Sequence, residues 1–232
     1  MGLYIRQLLA GRDFAVGDHF ASQMANFVYL VGDEEERVCM VVDPAWEIDA
    51  IVDQVERDGM KLRGALVTHT HQDHVGGHLF GFDIPGVEEL LARVPVKVYV
   101  HKAEREFLRG FGSDLVKVDG GDTVSVGRVT VSFIHTPGHT PGSQCFLVDG
   151  RIVSGDTLFI DACGRTDFPG GNAEQMYYSL TQKLMALPDE TILFPGHNYA
   201  RLPHATIGEQ KQTNPYLKFA SLKQFLAAMG YR

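Results

Sequence analysis

Apolar residues occur along the chain in short alternating or continuous runs, a pattern typical of β-strands. In the first half these runs predict strands at residues 3–9, 26–31, 38–42, 65–67 and 96–100. In the second half they predict strands at residues 116–118, 124–126, 129–133, 145–148, 151–154 and 192–194. Asp149-Gly150 separates two of these runs and is a strong signal for a two-residue hairpin turn.

Segments with apolar residues at helical spacing lie between several of the predicted strands. The first predicted helix begins at Asp43-Pro44, with proline in the first helical position, and ends at Gly59. Its buried face consists of Ile48, Ile51, Val52 and Val55. On this interpretation Asp43 caps the helix and is not a metal ligand. It could also accept a hydrogen bond from a histidine ligand, on the side of the ring away from the metal.

A second helix is predicted from Asn172, which has Gln175 three residues later as in a capping box, to the residue before Pro188. Its buried face consists of Met176, Leu180, Leu184 and Leu187. Shorter helices are predicted at residues 102–108 and 217–229, the latter as a short C-terminal tail.

Residues from about 78 to 95 interrupt this alternation of strands and helices. The segment contains glycine and proline and then a short apolar helix pattern at Val87, Leu90 and Leu91. We expect it to be an insertion that forms a lid, and its remaining apolar side chains would either wall a pocket or mediate a dimer.

Composition narrows the class of protein. With 232 residues, 44% of them hydrophobic, the chain can bury one large core, and we expect one domain over residues 1–232. The net charge of -8 and the scattered cations argue against a nucleic-acid partner.

The start of the chain has no basic segment followed by an apolar one, and no apolar run is long enough to span a bilayer, so no membrane association is expected. Three cysteines without paired spacing favour a cytoplasmic location, and monomer and homodimer both remain open.

The densest cluster of metal-binding side chains follows the buried strand at residues 65–67. It contains three histidines and one aspartate within six positions, namely His69, His71, Asp73 and His74. Imidazole and carboxylate groups suit zinc, iron or manganese, and groups packed this tightly would repel or stay unsatisfied without a cation. The sequence therefore predicts a metal site here.

Three distant residues share the surroundings of His69. His139, Asp156 and His197 each follow a predicted strand within a few residues and have a glycine beside them. Strand ends that carry ligands can meet only at one edge of the packed sheets, so we expect the seven side chains to converge. His135, four residues before His139, continues a strand and is predicted to have only a supporting role.

Seven ligands are too many for one tetrahedral ion and about right for two ions that share a carboxylate. We predict two divalent metal ions, either zinc or mixed zinc and iron. One would bind His69, His71 and His139, the other would bind Asp73, His74 and His197, and Asp156 would bridge them. A water held between such ions loses its proton near neutral pH and becomes a nucleophile.

These residues, in type, order and approximate spacing, resemble the metallo-β-lactamase superfamily over nearly the whole chain. The resemblance implies an α/β fold, a four-layer αββα sandwich with the metals at one edge of the sheets. It also implies that the seven residues are the ligands and that hydrolysis depends on Asp73. A true β-lactamase is not expected, because Asp156 occupies the bridging position and no export signal is present.

Two branches of the superfamily that act on a small-molecule thiol-derived substrate remain. Residues 71–77, 162–165, 187–191 and 195–199 resemble glyoxalase II, which hydrolyses thioesters of hydroxyacylglutathione. That resemblance implies that Arg165 and Tyr199 contact the glutathione moiety. A thiolate leaves readily, so attack by a metal-activated hydroxide needs no strong general acid.

The alternative is persulfide dioxygenase, an iron enzyme that oxidises glutathione persulfide. Residues 163–168 and 206–215 resemble that family more closely than glyoxalase II. There one Fe(II) would be held by His69, His139 and Asp156 alone. Residues 75–77 and the insertion depart from the dioxygenase pattern, whereas the short tail lacks the basic helical extension of glyoxalase II. The sequence favours the hydrolase, and a metal-holding scaffold without catalysis is a third possibility.

Overall fold

The computed structural model describes residues 2–231. The strands are β1 (Leu3–Leu9), β2 (Phe27–Asp33), β3 (Val38–Val42), β4 (Lys61–Leu66), β5 (Gly77–Leu79), β6 (Phe82–Ile84), β7 (Lys97–His101), β8 (Leu115–Val118), β9 (Thr123–Val126), β10 (Val129–His135), β11 (Gln144–Val148), β12 (Arg151–Gly155), β13 (Leu158–Phe159), β14 (Ala162–Cys163), β15 (Ile192–Pro195) and β16 (Ala205–Thr206). The helices are α1 (His19–Met24), α2 (Ile48–Arg57), α3 (Gln72–Val75), α4 (Val87–Arg93), α5 (Ala173–Tyr178), α6 (Ile207–Thr213) and α7 (Leu222–Ala228).

Two six-stranded sheets contain most of the strands. The first has the order β1-β2-β3-β4-β7-β8, and the second has the order β16-β15-β12-β11-β10-β9. The first sheet is antiparallel from β1 to β3 and parallel from β3 to β8. The second is antiparallel except for the parallel pair β12 and β15.

Three buried clusters define the layers. One lies between the two sheets and includes Phe133 and Phe146. A second packs α2 and α4 against the outer face of the first sheet, and a third packs α5 and α7 against the outer face of the second. Alternate side chains of each strand therefore serve different cores. The predicted α/β fold and its four-layer αββα arrangement are confirmed.

The direction of the strands brings several loops to one edge of the sandwich. β12 and β15 are parallel, and β10 runs in the same direction because two antiparallel pairings separate it from β12. Their C-terminal ends therefore lie together. Gly196 permits the close approach of β15 to β12, because a Cβ atom there would lie 2.3 Å from Oδ1 of Asp156.

Several helix predictions were wrong. α2 begins at Ile48 and not at Asp43, whose backbone has a positive φ of 53°. Residues 102–108 do not form a helix, apart from a short 3-10 turn at Phe107–Arg109. Glycines at 110 and 112 and the absence of a continuous apolar face explain why no longer helix forms there.

The remaining helix predictions were correct in part. Asn172 caps α5 and accepts a hydrogen bond from the Gln175 amide at 2.9 Å, and α5 continues as a wider helical segment, Ser179–Leu184. The predicted tail is broken into a 3-10 turn, Pro215–Leu217, and α7. No helix described between residues 2 and 231 has the length and the apolar character that crossing a bilayer requires.

The segment at 78–95, which was expected to form a lid, packs in large part against the core of the first sheet. It forms the β5–β6 hairpin and α4, and Ile84, Val87 and Leu90 belong to the core outside the first sheet. Only the hairpin tip projects, with Phe80 80% exposed and Phe82 54% exposed.

Replacement of Phe133 by alanine tests the core between the sheets. Phe133 is 2% exposed and meets the Phe146 ring edge-on at 5.3 Å. We expect Phe133→Ala to lower the free energy of unfolding by about 3–5 kcal/mol in urea titrations. The control, Phe80→Ala at the exposed hairpin tip, should change it by less than about 1 kcal/mol. Equal losses would contradict the assignment of Phe133 to this core.

Candidate metal centre

The first group of converging side chains is His69, His71 and His139, whose ligand atoms all lie within 4.8 Å of one another. Nε2 of His139 lies 2.9 Å from Nδ1 of His71. Nε2 of His69 is buried and has no hydrogen-bond partner among the described residues. Burial and the neighbouring His139 lower the pKa of His71 to about 4, so its ring is neutral and can bind a cation.

The second group is Asp73, His74 and His197, also within 4.8 Å of one another. The Nε2 atoms of His74 and His197 are 3.2 Å apart. Oδ2 of Asp73 lies 3.5 Å from the first of these nitrogens and 3.4 Å from the second. The short helix α3 places Asp73 and His74 on the same side of the sheet edge as His197.

Asp156 lies between the two groups. Its Oδ2 is 3.5 Å from Nε2 of His139 and 3.4 Å from Nε2 of His197, and its Oδ1 is 3.4 Å from Nε2 of His74. Oδ1 is buried without a hydrogen-bond partner among residues 2–231. The structure thus brings all seven predicted side chains together, in the two groups that the sequence predicted and with Asp156 between them.

In three of the five rings, the nitrogen that points away from the cluster donates a hydrogen bond, which fixes the position of the ring proton. Nδ1 of His139 donates to the carbonyl oxygen of Arg165 at 2.7 Å, and Nδ1 of His197 donates to that of Met24 at 2.7 Å. Nδ1 of His74 donates to Oδ2 of Asp43 at 3.0 Å. In the neutral rings Nε2 therefore carries a lone pair that points into the cluster.

The cluster requires positive charge. Facing lone pairs on His74 and His197 repel unless a proton or a metal ion lies between them. Burial alone would lower the pKa of His74, but Asp73 and Asp156 raise it to about 10. Burial disfavours the ionised form of Asp156, yet His197 and His74 keep its pKa well below the usual range. These donors fit divalent metal ions, with imidazole nitrogen and carboxylate oxygen as ligands.

Asp43 lies outside the cluster and holds two of its histidines in place through hydrogen bonds. It accepts hydrogen bonds from the amide of Thr68 at 2.7 Å and from its hydroxyl at 2.6 Å, in addition to the one from His74. Its predicted role as a helix cap was therefore wrong, and the alternative role behind a histidine is correct. The same Thr68 hydroxyl lies 3.0 Å from Nδ1 of His69, so one carboxylate orients two rings.

Three further residues at the site were not predicted from the sequence. Asn26 donates to Oδ2 of Asp73 at 3.0 Å, and the indole of Trp46 donates to the Asp73 carbonyl at 3.1 Å. The third, Glu104, comes from the segment after β7. A single sequence contains no signal for these residues, because none belongs to a motif and each reaches the site only through the fold.

Glu104 joins the ligand loops of the two sheets. It is 8% exposed and accepts hydrogen bonds from Thr70 at 2.6 Å, from the hydroxyl of Thr140 and from the amide of Gly142 at 2.9 Å. Thr70 lies between two histidines of the first loop, and Thr140 directly follows His139. Glu104 therefore helps to fix the separation of the two loops.

The two predicted substrate-binding residues lie at the mouth of the cluster. Arg165 is 67% exposed, forms two hydrogen bonds with Asp167 at 2.9 and 2.8 Å, and places its guanidinium 4.5 Å from the centre of the Phe168 ring. Tyr199 is 58% exposed, and its ring stacks on that of His197 at 4.7 Å. Both side chains can reach a bound molecule, and their contact with substrate stays a prediction.

His135 lies outside the cluster, as predicted. Its ring stacks on that of His101 at 3.8 Å. Nε2 of His101 donates to Asp119 at 3.2 Å, and its Nδ1 accepts from the Ala103 amide at 3.2 Å. Both nitrogens of His101 are therefore engaged in hydrogen bonds within the segment from His101 to Asp119.

Replacement of Asp43 by asparagine tests the support from behind the rings. An asparagine amide would face the Nδ1–H of His74 or the donors of Thr68, and a donor cannot accept a hydrogen bond. We expect Asp43→Asn to weaken metal binding by about 10–100-fold, measured by competition with a chelator. The control is Asp49→Asn on the exposed face of α2, which should leave metal affinity unchanged. Unaltered affinity in Asp43→Asn would contradict the role.

Replacement of Glu104 by glutamine tests the link between the loops. The change keeps the shape of the side chain but replaces one acceptor oxygen by a donor, so a buried hydroxyl loses its partner. We expect the free energy of unfolding to fall by about 1–3 kcal/mol in urea titrations. The matched control, Glu106→Gln at an exposed position of the same segment, should be neutral. If both variants unfold alike, Glu104 does not join the loops.

Comparison with known proteins is consistent with this geometry. The family model described as "Metallo-beta-lactamase superfamily" matches residues 22–197. That range includes all seven converging side chains and most of both sheets.

Two curated relatives carry different names. The human protein "Persulfide dioxygenase ETHE1, mitochondrial" is 31% identical over 225 residues, which cover 95% of this chain and 82% of that protein. The "Probable polyketide biosynthesis zinc-dependent hydrolase BaeB" of Bacillus velezensis is 29% identical over 202 residues, 87% of this chain and 86% of that protein. Both likenesses extend over most of each chain.

This chain is also similar to a solved structure of a protein that shares the name ETHE1 with the human relative. The crystal structure of ETHE1 from Myxococcus xanthus superposes with a TM-score of 0.81 at 32% identity and covers 98% of this chain and 90% of that chain. The family match, the layers and the cluster lead to one conclusion: the chain belongs to the metallo-beta-lactamase superfamily.

Proposed function

We propose that the protein is a persulfide dioxygenase that acts on the persulfide of a small thiol such as glutathione. The observation that carries the proposal is the extent of the likeness to proteins of that name. The human relative matches 95% of this chain at 31% identity, and the Myxococcus protein matches 98% at 32%. The preference for thioester hydrolysis drawn from the sequence is thereby reversed.

The residues proposed to hold the ion are His69, His139 and Asp156. Two buried atoms of this set, Nε2 of His69 and Oδ1 of Asp156, have no hydrogen-bond partner in the described part of the chain and are available as ligands. One Fe(II) ion bound by two histidines and one carboxylate supplies the redox chemistry that dioxygen requires and leaves positions open. The hydrogen bond from His139 to the Arg165 carbonyl keeps the ligand nitrogen of that ring unprotonated.

The mouth of the cluster supports a small thiol-derived substrate. The Phe168 ring lies 5.2 Å from that of His71 and 5.8 Å from that of His139, and it forms an apolar wall beside the cluster. Arg165 holds a positive charge above this wall. We propose that a substrate carboxylate competes with Asp167 for Arg165, and that Tyr199 forms the opposite wall.

A second candidate, a zinc-dependent hydrolase, is favoured by one specific observation. Asp73, His74 and His197 form a complete second group of ligand atoms within 4.8 Å, which a single iron ion does not need. The hydrolase relative BaeB shares 29% identity over 87% of this chain. In that case two divalent ions, zinc or mixed zinc and iron, would activate a water, and Asp73 would be indispensable.

The experiment that separates the candidates combines metal analysis with two assays on the purified protein. A dioxygenase should contain close to one iron per chain and consume oxygen when given glutathione persulfide. It should not hydrolyse a panel of glutathione thioesters. Close to two zinc ions per chain, with thioester hydrolysis and no oxygen uptake, would contradict the proposal and favour the second candidate.

The variants Asp73→Ala and Asp156→Asn distinguish the two sites. Asp156→Asn should abolish activity in either case, because Asp156 lies within 3.5 Å of nitrogens from both groups. Asp73→Ala should abolish hydrolysis but lower oxygen uptake less than about tenfold, since Asp73 is outside the proposed iron site. Complete loss of oxygen uptake in Asp73→Ala would count against a single-ion site.

Other expectations from the sequence stay predictions. These are the glutathione moiety, the absence of nucleic-acid and membrane partners, a monomer or homodimer, and a cytoplasmic location. Oxygen uptake measured with persulfides of several thiols would test the first of them directly.

A further inference from the structure

A cavity of about 510 Å³ opens beside the segment that follows β7. Its lining residues are Lys102, Ala103, Arg105, Leu108, Arg109 and Lys117. Four of these six side chains are cationic, and no carboxylate is among them. We call this feature the basic cavity. Its volume is within the range of cavities that hold small molecules.

Three of the four cations around the basic cavity have no acidic partner among the residues that the structure describes. Lys102 pairs with Asp119, whereas Arg105, Arg109 and Lys117 form no ion pair with another residue in the described range 2–231. The chain carries 29 acidic and 21 basic residues, so unpaired cations gathered at one place run against its overall charge. Positive charges gathered around a cavity raise the local concentration of anions.

Asp119 offsets the charge of Lys102, and the other nearby carboxylates do not neutralise the basic cavity. Glu104 faces Thr70 and Thr140, and Asp114 pairs with Lys97 at 3.3 Å. Glu106 is exposed on the same segment but does not line the cavity. The field inside the cavity is therefore positive.

We propose that the basic cavity binds a small anion that carries two or more negative charges on clustered oxygens, either a diphosphate or a dicarboxylate. Two guanidinium groups can each form paired hydrogen bonds with such oxygens, and Lys117 adds positive charge beside them. Ala103 and Leu108 provide a small apolar surface for the organic part of the molecule. This site is separate from the metal centre and does not depend on the proposed oxidation.

Isothermal titration calorimetry of the metal-loaded protein with inorganic pyrophosphate tests the proposal. We expect one pyrophosphate per chain, and an affinity at least tenfold lower in the double variant Arg105→Gln/Arg109→Gln. The charge-matched control is Arg57→Gln/Arg63→Gln, two exposed residues that do not line the cavity. It should change the affinity less than twofold.

Three results would overturn the proposal. One is the absence of binding, and another is an equal loss in the control, which would indicate only a long-range effect of net charge. The third is unchanged affinity in the double variant, which would place pyrophosphate on the metal centre. Because binding is measured directly, these results are independent of whether the protein consumes oxygen with a persulfide.

A competition experiment separates the two sources of anion. Malonate carries two carboxylates on one carbon and has no thiol, so it matches the dicarboxylate and cannot bind a metal ion through a thiolate. If it displaces pyrophosphate from the wild type, the basic cavity recognises a dicarboxylate. If pyrophosphate stays bound, the cavity recognises a phosphorylated molecule. Either result agrees with binding of a clustered anion.

Discussion

The structure depends on one electrostatic requirement, which is positive charge among five imidazoles and two carboxylates that are buried or half-buried. The Nε2 atoms of His74 and His197 face each other at 3.2 Å, while Asp43 and the Met24 carbonyl hold the protons on the far sides of these rings. One proton can lie between only one pair of facing lone pairs, whereas a divalent ion can accept several lone pairs at once. Metal binding should therefore stabilise the folded chain as well as supply chemistry, because the unfolded chain has no such arrangement of ligands.

The topology of the two sheets makes this arrangement possible. The first sheet contributes the loop after β4, and the second contributes the loops after β10, β12 and β15. Strands that run in the same direction end at the same edge, so residues far apart in sequence meet without long connections. Glycines beside the ligands allow backbones and side chains to approach closely, as Gly196 does for Asp156. The edge can thus be dense in ligands while the cores on either side remain apolar.

The sequence predicted the strands and the converging residues well, because both depend on local signals. An alternating run predicts the bounds of β1 and a continuous apolar run predicts those of β3, and each of the seven converging side chains follows a strand. The sequence did not predict contacts that the fold makes between distant segments. Asp43 looked like a helix cap because proline follows it, but its carboxylate reaches Thr68 and His74. The choice between hydrolase and dioxygenase was also not decided by the ligands, since the same seven residues suit one ion or two.

The segment after β7 connects the metal centre to the surface. Through Glu104 it contacts the ligand loops of both sheets, and through Lys102, Ala103 and Arg105 it lines the basic cavity. The segment has little regular structure, so its order depends on what it contacts. An anion that orders it would also restrict Glu104 and, through Thr70 and Thr140, the separation of the ligand loops. Linkage is reciprocal, so metal binding would then favour binding of the anion to the same extent.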